Sequence, residues 1–333
     1  MQGLRAMKTN VVLTVDTEPS IAGAFVDLVA NPPLIHEPVA GVVAGRSEGL
    51  GFLIETLVRH GLKATFFVET AHTAFFPADL MGRYVEQLQA ADQDVQLHLH
   101  PSWLSFANGK PASTGKVTDH CSELERSRLA ELIVRGCEQI QAWTGRRPTG
   151  MRTGNFSTAM SVFEAMRDAG LENASNVCLA MHRPPEQELQ VTGGSHRFAG
   201  IRELPVTCFA DSGPVGRGRL RPMQVTAVSA AEQIALLRQA HEARRGVVVI
   251  VTHPFEYVKK KDFRYRGLRA NRMVQRRLDT LCSFLAANSD SFAVVPLEEA
   301  ARLSQPESAP PLHGQALRAT LRAAANVVND RLL

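Results

Sequence analysis

The sequence has no long apolar segment, and this absence limits where the protein can act. The first apolar run, residues 11–15, is short and is followed directly by Asp16. A signal peptide needs a longer apolar core than this, and a membrane-spanning helix needs about 20 apolar residues. We therefore expect a cytoplasmic protein without a transmembrane segment.

Excess charge and closely spaced cysteines are also scarce. The 37 Lys and Arg against 33 Asp and Glu give a net charge of only +4 over 333 residues. A nucleic-acid-binding protein would need a stronger and more clustered positive excess, so we expect no nucleic-acid partner. The five cysteines are widely spaced and include no C-x-x-C motif. Their odd number and spacing favour free thiols in a reducing compartment.

What the chain does contain is a regular alternation of apolar runs with segments of helical periodicity. The predicted strands are residues 11–15, 64–69, 95–100, 149–152, 175–179, 201–206, 246–252 and 292–296. The predicted helices between and after them are residues 50–60, 79–91, 123–144, 159–169, 230–243, 269–287 and 297–303. This order predicts an α/β fold with a parallel sheet and helical crossovers. The number of units in this length favours a barrel over an open sheet.

The composition changes after Ser304. Residues 305–311 are rich in proline and are predicted to form a linker, and residues 316–333 form an Ala/Arg/Leu-rich helix. We therefore expect a barrel over residues 1–303 and a linker with a C-terminal helix over residues 304–333. The sequence leaves open whether this helix docks on the barrel, pairs with another subunit or lies free.

Unusual polar residues stand where predicted strands end. They are Asp16, Glu18, His98, His100, Arg152 and His253. The active sites of α/β barrels are built at the carboxyl ends of the strands. The coincidence of these six residues at one edge is therefore stronger evidence for a functional site than any one of them alone.

Two pairs of these residues have the spacing of metal ligands. Side chains two apart on a strand share a face, so His98 and His100 should point the same way, as should Asp16 and Glu18. A carboxylate with two imidazoles is a common ligand set for a catalytic divalent metal. From spacing alone, one histidine could instead be a hydrogen-bonded core residue, and the acids could face solvent in a turn.

The other two residues have two interpretations each. Arg152 lies on a predicted buried strand and needs a carboxylate partner. It could orient a catalytic Asp and keep it charged, or it could form a structural salt bridge. His253 follows the strongly apolar strand at 246–252 and could act as a general acid. A satisfied core histidine is the alternative.

The motifs together resemble a known family. Residues 12–18, 63–68, 94–98, 152 with 155–157, 203–206 and 250–253 come in the order of the polysaccharide deacetylases, the NodB-homology, carbohydrate esterase 4-like group. The resemblance covers roughly residues 10 to 300. It implies a distorted (β/α)7 barrel and a metal-dependent hydrolase that removes N-acetyl or other acyl groups from amino sugars.

The resemblance also implies roles for individual residues. Asp16 resembles the catalytic base that activates the attacking water, and Arg152 resembles the residue that pairs with that base. His98 resembles the first histidine ligand of the metal. His253 resembles the general acid that protonates the leaving amine.

Three positions depart from the family pattern. Thr17 replaces the usual second Asp, and Ser102 replaces the usual second His. We expect Glu18 and His100 to complete the metal site in their place. Ala174 falls near the position of the family's fifth-strand Asp, so we expect His253 to lack its usual partner.

The resemblance further predicts a cofactor and a partner. We expect a divalent metal, Zn²⁺ first, with Co²⁺, Ni²⁺ or Mn²⁺ as alternatives. The expected substrate is an N-acetylated sugar or glycan, or a nucleotide- or lipid-linked sugar, in surface-polysaccharide or O-antigen biosynthesis. Two other functions stay open, namely an inactive barrel that binds glycan or a partner enzyme, and an amidohydrolase on a small cyclic amide. The oligomeric state is not predicted.

A basic run follows His253. It consists of residues 259–261 with Arg264, Arg266, Arg269 and Arg272. The run could bind the diphosphate of a linked sugar or a polyanionic glycan, or it could be a solvated face.

Overall fold

A curled and mostly parallel sheet forms the centre of the molecule. The computed structural model describes residues 8–107, 110–111, 117–213, 218–308 and 310–331. The sheet strands are β1 (Thr9–Thr17), β2 (Thr65–Glu69), β3 (Asp94–Leu99), β4 (Gly150–Thr153), β5 (Asn173–Ala174), β6 (His196–Phe198), β7 (Ile201–Glu203), β8 (Val247–Thr252) and β9 (Phe292–Val294).

Helices follow most of the parallel strands. They are α1 (His36–Val39), α2 (Leu50–Arg59), α3 (Ala78–Ala90), α4 (Arg126–Thr144), α5 (Met160–Asp168), α6 (Ala230–Glu242), α7 (Arg272–Ala287), α8 (Leu297–Leu303) and α9 (Ala316–Arg331). Within the described residues, none of these helices combines the length and the apolar character that crossing a bilayer requires.

The two long apolar strands, β1 and β8, are neighbours at one end of the strand order. The order is β6, β7, β5, β4, β3, β2, β1, β8, and β9 pairs with the amino-terminal part of β1. Every pair is parallel except β6 with β7. β1 is buried along nearly its whole length and β8 along all of it, as their continuous β-branched runs predict for strands covered on both faces.

Irregular segments, not a regular strand pair, close the sheet beyond β8. Thr207 exchanges two hydrogen bonds of 3.0 Å with Val249, one through its backbone N–H and one through its hydroxyl. Farther along, Val251 donates to the carbonyl of Met223 at 3.0 Å. The sheet therefore curls into the distorted (β/α) barrel that the sequence predicts.

The strand predicted at residues 175–179 is wrong in position, since the structure has β5 at Asn173–Ala174. Beyond β5, backbone groups bond to side chains. Arg152 Nε donates to the carbonyl of Ser175 at 2.9 Å, and the carboxylate of Glu203 accepts the next two backbone N–H groups at 3.1 and 3.0 Å. These bonds take the place of a regular ladder and end the strand early.

The helix predicted at residues 269–287 begins later, at Arg272. Arg269–Ala270 instead pairs antiparallel with Val258–Lys259. Asn271 then donates its backbone N–H to the carbonyl of Tyr257 at 2.8 Å. The start of the predicted helix thus belongs to a short hairpin.

The C-terminal helix α9 lies against α6 and α7. Its Arg322 is almost fully buried and bonds to Asp211 and Glu232, both at 2.7 Å. Farther along, Asn326 accepts a hydrogen bond of 2.6 Å from Arg277 of α7. These contacts hold the helix on the surface of the barrel, one of the three positions that the sequence leaves open.

Candidate metal centre and active site

Strand register brings the polar residues to one end of the barrel. β2, β3 and β4 pair so that Glu69, His98 and Arg152 lie side by side across the sheet. β1 pairs in register with β8 up to its carboxyl end. This pairing brings Asp16 and His253 to the same rim, although they are 237 residues apart in the sequence.

Glu18, His98 and His100 form a compact group that could hold a metal ion. Glu18 Oε2 lies 3.1 Å from His98 Nε2 and 2.7 Å from His100 Nε2. One ligand atom from each of the three side chains lies within 4.8 Å of the others. Within the described residues, no other group of three His, Cys, Asp or Glu side chains converges in this way.

Outer partners orient both imidazoles. His98 Nδ1 contacts the carbonyl oxygen of Arg152 at 2.9 Å, and His100 Nδ1 contacts Asp119 Oδ2 at 2.9 Å. Asp119 is itself held by the side-chain amide of Asn155 at 2.7 Å. Metal-binding histidines commonly have such a second partner, which directs the other ring nitrogen at the ion. The donor set and its orientation therefore fit a divalent cation.

Charge attraction dominates the electrostatics of this group. Burial raises the pKa of Glu18, but the neighbouring His100 and His98 lower it more and hold it well below its usual value. Burial lowers the pKa of His100, but Glu18 and Asp119 raise it more and hold it well above its usual value. A carboxylate facing two imidazoles is thus strongly favoured in its charged form.

Gly154 makes room for His100. A Cβ atom built on this glycine would lie 2.5 Å from both Cε1 and Nδ1 of the His100 ring. The next residue, Asn155, has a φ of 55° and directs its amide at Asp119. The loop after β4 therefore positions the imidazole from two sides, through a missing side chain and through a hydrogen bond.

Asp16 and Arg152 form a buried ion pair. Arg152 is fully buried, and its Nη1 donates to Asp16 Oδ1 at 2.6 Å and to the hydroxyl of Thr14 at 2.9 Å. Its Nε and Nη2 bond to Ser175 at 2.9 and 2.6 Å, and its guanidinium lies over the ring of Phe67 at 4.4 Å. Because Arg152 holds Oδ1, Asp16 presents Oδ2 to the open site.

His253 faces that second oxygen. Its Nε2 lies 3.7 Å from Asp16 Oδ2, and its Nδ1 lies 2.9 Å from Glu256 Oε1. His253 therefore has a carboxylate partner from the following turn, Glu256, where the sequence offers only Ala174 at the position of the usual fifth-strand Asp. Burial lowers the pKa of His253, but the hydrogen bond and charge of Glu256, with the charge of Asp16, raise it to about 9.

Glu18 and His100 of the proposed metal centre line a cleft of about 260 Å³. Asp119, Phe255 and Lys260 also line this cleft. The ring of Tyr265, which also lines the cleft, lies 3.7 Å below the Lys260 ammonium. The site is thus a polar pocket with an aromatic and cationic wall.

Three contributors to the site were missed in the sequence. Asp119 lies in a polar stretch without periodicity, and nothing there distinguishes it from other surface acids. Gly154 matters only because another segment packs against it. Glu256 carries a signal that could have been used, because it stands three residues after His253 in the turn that Pro254 begins.

Comparison with known proteins supports the fold. No protein-family model matches the sequence, and no relative is found among curated proteins. A Mycobacterium smegmatis protein assigned as a polysaccharide deacetylase has a similar structure, with 16% identity, a TM-score of 0.53, and coverage of 93% of this chain and 97% of that one.

Two further solved structures have the same architecture. One is a Parabacteroides distasonis protein assigned as a glycoside hydrolase/deacetylase, with 12% identity, a TM-score of 0.56, and coverage of 91% of this chain and 72% of that one. The other is a Pseudomonas aeruginosa protein assigned as a polysaccharide deacetylase, with 14% identity, a TM-score of 0.50, and coverage of 89% and 91%. The chain therefore has the NodB-like polysaccharide deacetylase fold that its motifs resemble.

The buried ion pair predicts a large effect on stability. We expect Arg152→Met to lower the free energy of unfolding by about 3 to 5 kcal/mol, because it leaves the Asp16 carboxylate buried and unpaired. Arg126→Met is the matched control, since Arg126 makes its ion pairs with Asp168 and Glu164 at the surface. We expect this control to cost about 1 kcal/mol or less. Equal losses in urea denaturation would contradict the assignment.

Proposed function

We propose that the protein is a metal-dependent hydrolase that removes an N-acetyl or other acyl group from an amino sugar. The observation that carries the proposal is the meeting of Glu18, His98 and His100 beside the carboxylate of Asp16 and the imidazole of His253. The deacetylase fold, common to the similar structures, agrees with this chemistry.

The proposed cation is held by Glu18, His98 and His100. Zn²⁺ suits one carboxylate and two imidazoles, and Co²⁺, Ni²⁺ and Mn²⁺ are the alternatives. A divalent cation bound there would supply Lewis-acid activation of a water molecule and of the amide carbonyl. Thr17 takes no part in this proposal, because carboxylates and imidazoles, and not neutral hydroxyls, are the usual oxygen and nitrogen ligands of Zn²⁺.

Asp16 and His253 divide the proton transfers between them. Asp16 Oδ2 accepts a proton from the attacking water, while Arg152 holds the other carboxylate oxygen in place. His253 Nε2 donates a proton to the amide nitrogen as the carbon–nitrogen bond breaks, which releases the acid and the free amine. Glu256 keeps Nδ1 of His253 occupied, so Nε2 is the nitrogen that faces the reacting groups.

The substrate is an N-acetylated sugar, as a glycan or linked to a nucleotide or lipid. The direct test is acetate release from N-acetylglucosamine oligosaccharides and from N-acetylated sugar nucleotides by the Zn²⁺-loaded protein. Release with turnover supports the proposal. A protein that binds these sugars without releasing acetate would be an inactive glycan-binding barrel, and ring opening of small cyclic amides without acetate release from the sugars would make it an amidohydrolase.

The metal site predicts a specific effect of Gly154. We expect Gly154→Ala to weaken Zn²⁺ binding by about 10- to 100-fold, because the new Cβ must displace the ring of His100 without removing a ligand. Calorimetric titration of the metal-free protein measures this change. Gly246→Ala is the control, since its Cβ would meet only Glu307 Oε2 at 3.3 Å. Wild-type affinity in the Gly154 variant would disprove the arrangement.

The general acid predicts a characteristic pH dependence. His253 stays protonated at neutral pH, and with its pKa near 9 we expect kcat to fall as the pH rises through that value. Glu256→Gln removes the main cause that raises this pKa, so the alkaline fall should move to lower pH.

His253→Gln tests the same assignment more directly. It should lower kcat by about 10²- to 10⁴-fold while Zn²⁺ binding stays at the wild-type stoichiometry. An alkaline limb that does not move in Glu256→Gln would show that another group is the acid.

A further inference from the structure

A second cavity, of about 540 Å³, lies outside the proposed active site. It is formed where α7, the start of α6, the end of α9 and the hairpin of Val258–Lys259 with Arg269–Ala270 meet. We call it the basic groove. Its cationic lining residues are Lys259, Arg269, Arg272, Arg276 and Arg277. Its volume falls within the range of about 300 to 1,000 Å³ that is usual for sites of small ligands.

Few carboxylates lie near the positive charges of the basic groove. For Lys259, Arg269, Arg272 and Arg276, Glu48 is the one carboxylate in ion-pair contact among the described residues, at 3.2 Å from Arg272. Arg269 and Arg276 are exposed and have no carboxylate in ion-pair contact among the described residues. No acidic side chain lines the part of the groove that the structure describes. A concave surface with such an excess of cations favours an anionic ligand.

The start of α7 adds to this field. The amino-terminal end of a helix carries a partial positive charge, which acidic residues in the first turn usually compensate. The first turn of α7 contains no acidic residue, and its first position is Arg272. A bound anion at this end would offset both the helix dipole and the crowding of like charges.

Two cations of the basic groove have a structural role. Arg277 is buried and bonds to the carbonyl of Thr226 and to Asn326 of α9, both at 2.6 Å. Lys259 donates to the backbone carbonyl of Asn329 near the end of α9. The C-terminal helix thus contributes to the groove through Asn329, which is one of its lining residues.

The basic run seen in the sequence is divided by the hairpin. Lys259 lines the basic groove, whereas the next residue, Lys260, lines the active-site cleft. Arg266 pairs with Asp262, and Arg264 bonds to backbone carbonyls of the loop after β1. The run is therefore not one binding face, since its residues are divided between two cavities and surface contacts.

We propose that the basic groove binds the diphosphate group of a ligand. Several guanidinium groups around one cavity match the number and directions of phosphate oxygens better than those of a single carboxylate. The site is distinct from the proposed deacetylase centre and does not depend on that activity. The ligand is a diphosphate-bearing small molecule, whether free or attached to a nucleoside.

Calorimetric titration of the full, metal-free chain with inorganic pyrophosphate tests the proposal. The titration is run at about 0.15 M salt, where long-range attraction between exposed charges is largely screened. We expect saturable binding at one site. The double variant Arg269→Glu, Arg276→Glu should weaken this binding by about tenfold or more, because both side chains are exposed and face the groove.

The matched control is the double variant Arg183→Glu, Arg302→Glu. It changes the net charge by the same amount at exposed positions that do not line the basic groove. We expect wild-type affinity for pyrophosphate in this control. Equal weakening in both double variants, or no saturable binding in the wild type, would overturn the proposal.

Titrations with uridine diphosphate distinguish the two sources of the ligand. Tighter binding than that of pyrophosphate, still lost in the Arg269/Arg276 double variant, indicates a nucleoside-linked ligand. Equal binding indicates recognition of the diphosphate alone. Because no acetylated sugar and no metal are present, absence of deacetylase activity would leave these results unaffected.

Discussion

The buried ion pair between Arg152 and Asp16 connects the proposed catalytic base with the proposed metal centre. Arg152 comes from the middle of the chain, and its guanidinium reaches across the barrel to β1 while its backbone carbonyl contacts His98. One residue thus touches both the proposed base and a proposed metal ligand. Such a charge is stable inside the protein only because its donors find oxygen acceptors and aromatic faces.

Around this pair, the site is arranged in two layers. Glu18, His98, His100, Asp16 and His253 are the groups proposed to bind the metal or to transfer protons, while outer partners fix the Nδ1 atom of each imidazole. Asp119 contacts Nδ1 of His100, and Glu256 contacts Nδ1 of His253. The Nε2 atoms of these two imidazoles are therefore left to face the reacting groups. The chemistry we propose therefore depends on the side chains that orient the imidazoles as well as on the imidazoles themselves, in the manner common to metal sites.

The C-terminal helix changes how the surface of the barrel can be used. Its buried Arg322 is shared by Asp211 and Glu232, and this network fixes the helix beside α6 and α7. Near its end, Asn329 lines the basic groove and accepts a hydrogen bond from Lys259. A segment that resembles an appendage in the sequence therefore contributes to a cavity on the surface of the barrel.

The order of strands and helices, the barrel and the residues at its rim follow from local pattern, since β-branched runs, periodicity and proline act over a few neighbours. The resemblance of the motifs to a known family predicted the deacetylase fold, which the structure confirms. The same resemblance predicted roles for six residues, and these roles stay a prediction: Asp16, Glu18, His98, His100, Arg152 and His253. The partner of His253, the space at Gly154, the early end of β5 and the docking of α9 were decided only by tertiary structure. Each depends on atoms from segments distant in the chain, and a hydrogen bond or a close approach between such segments leaves no periodic signal in either one.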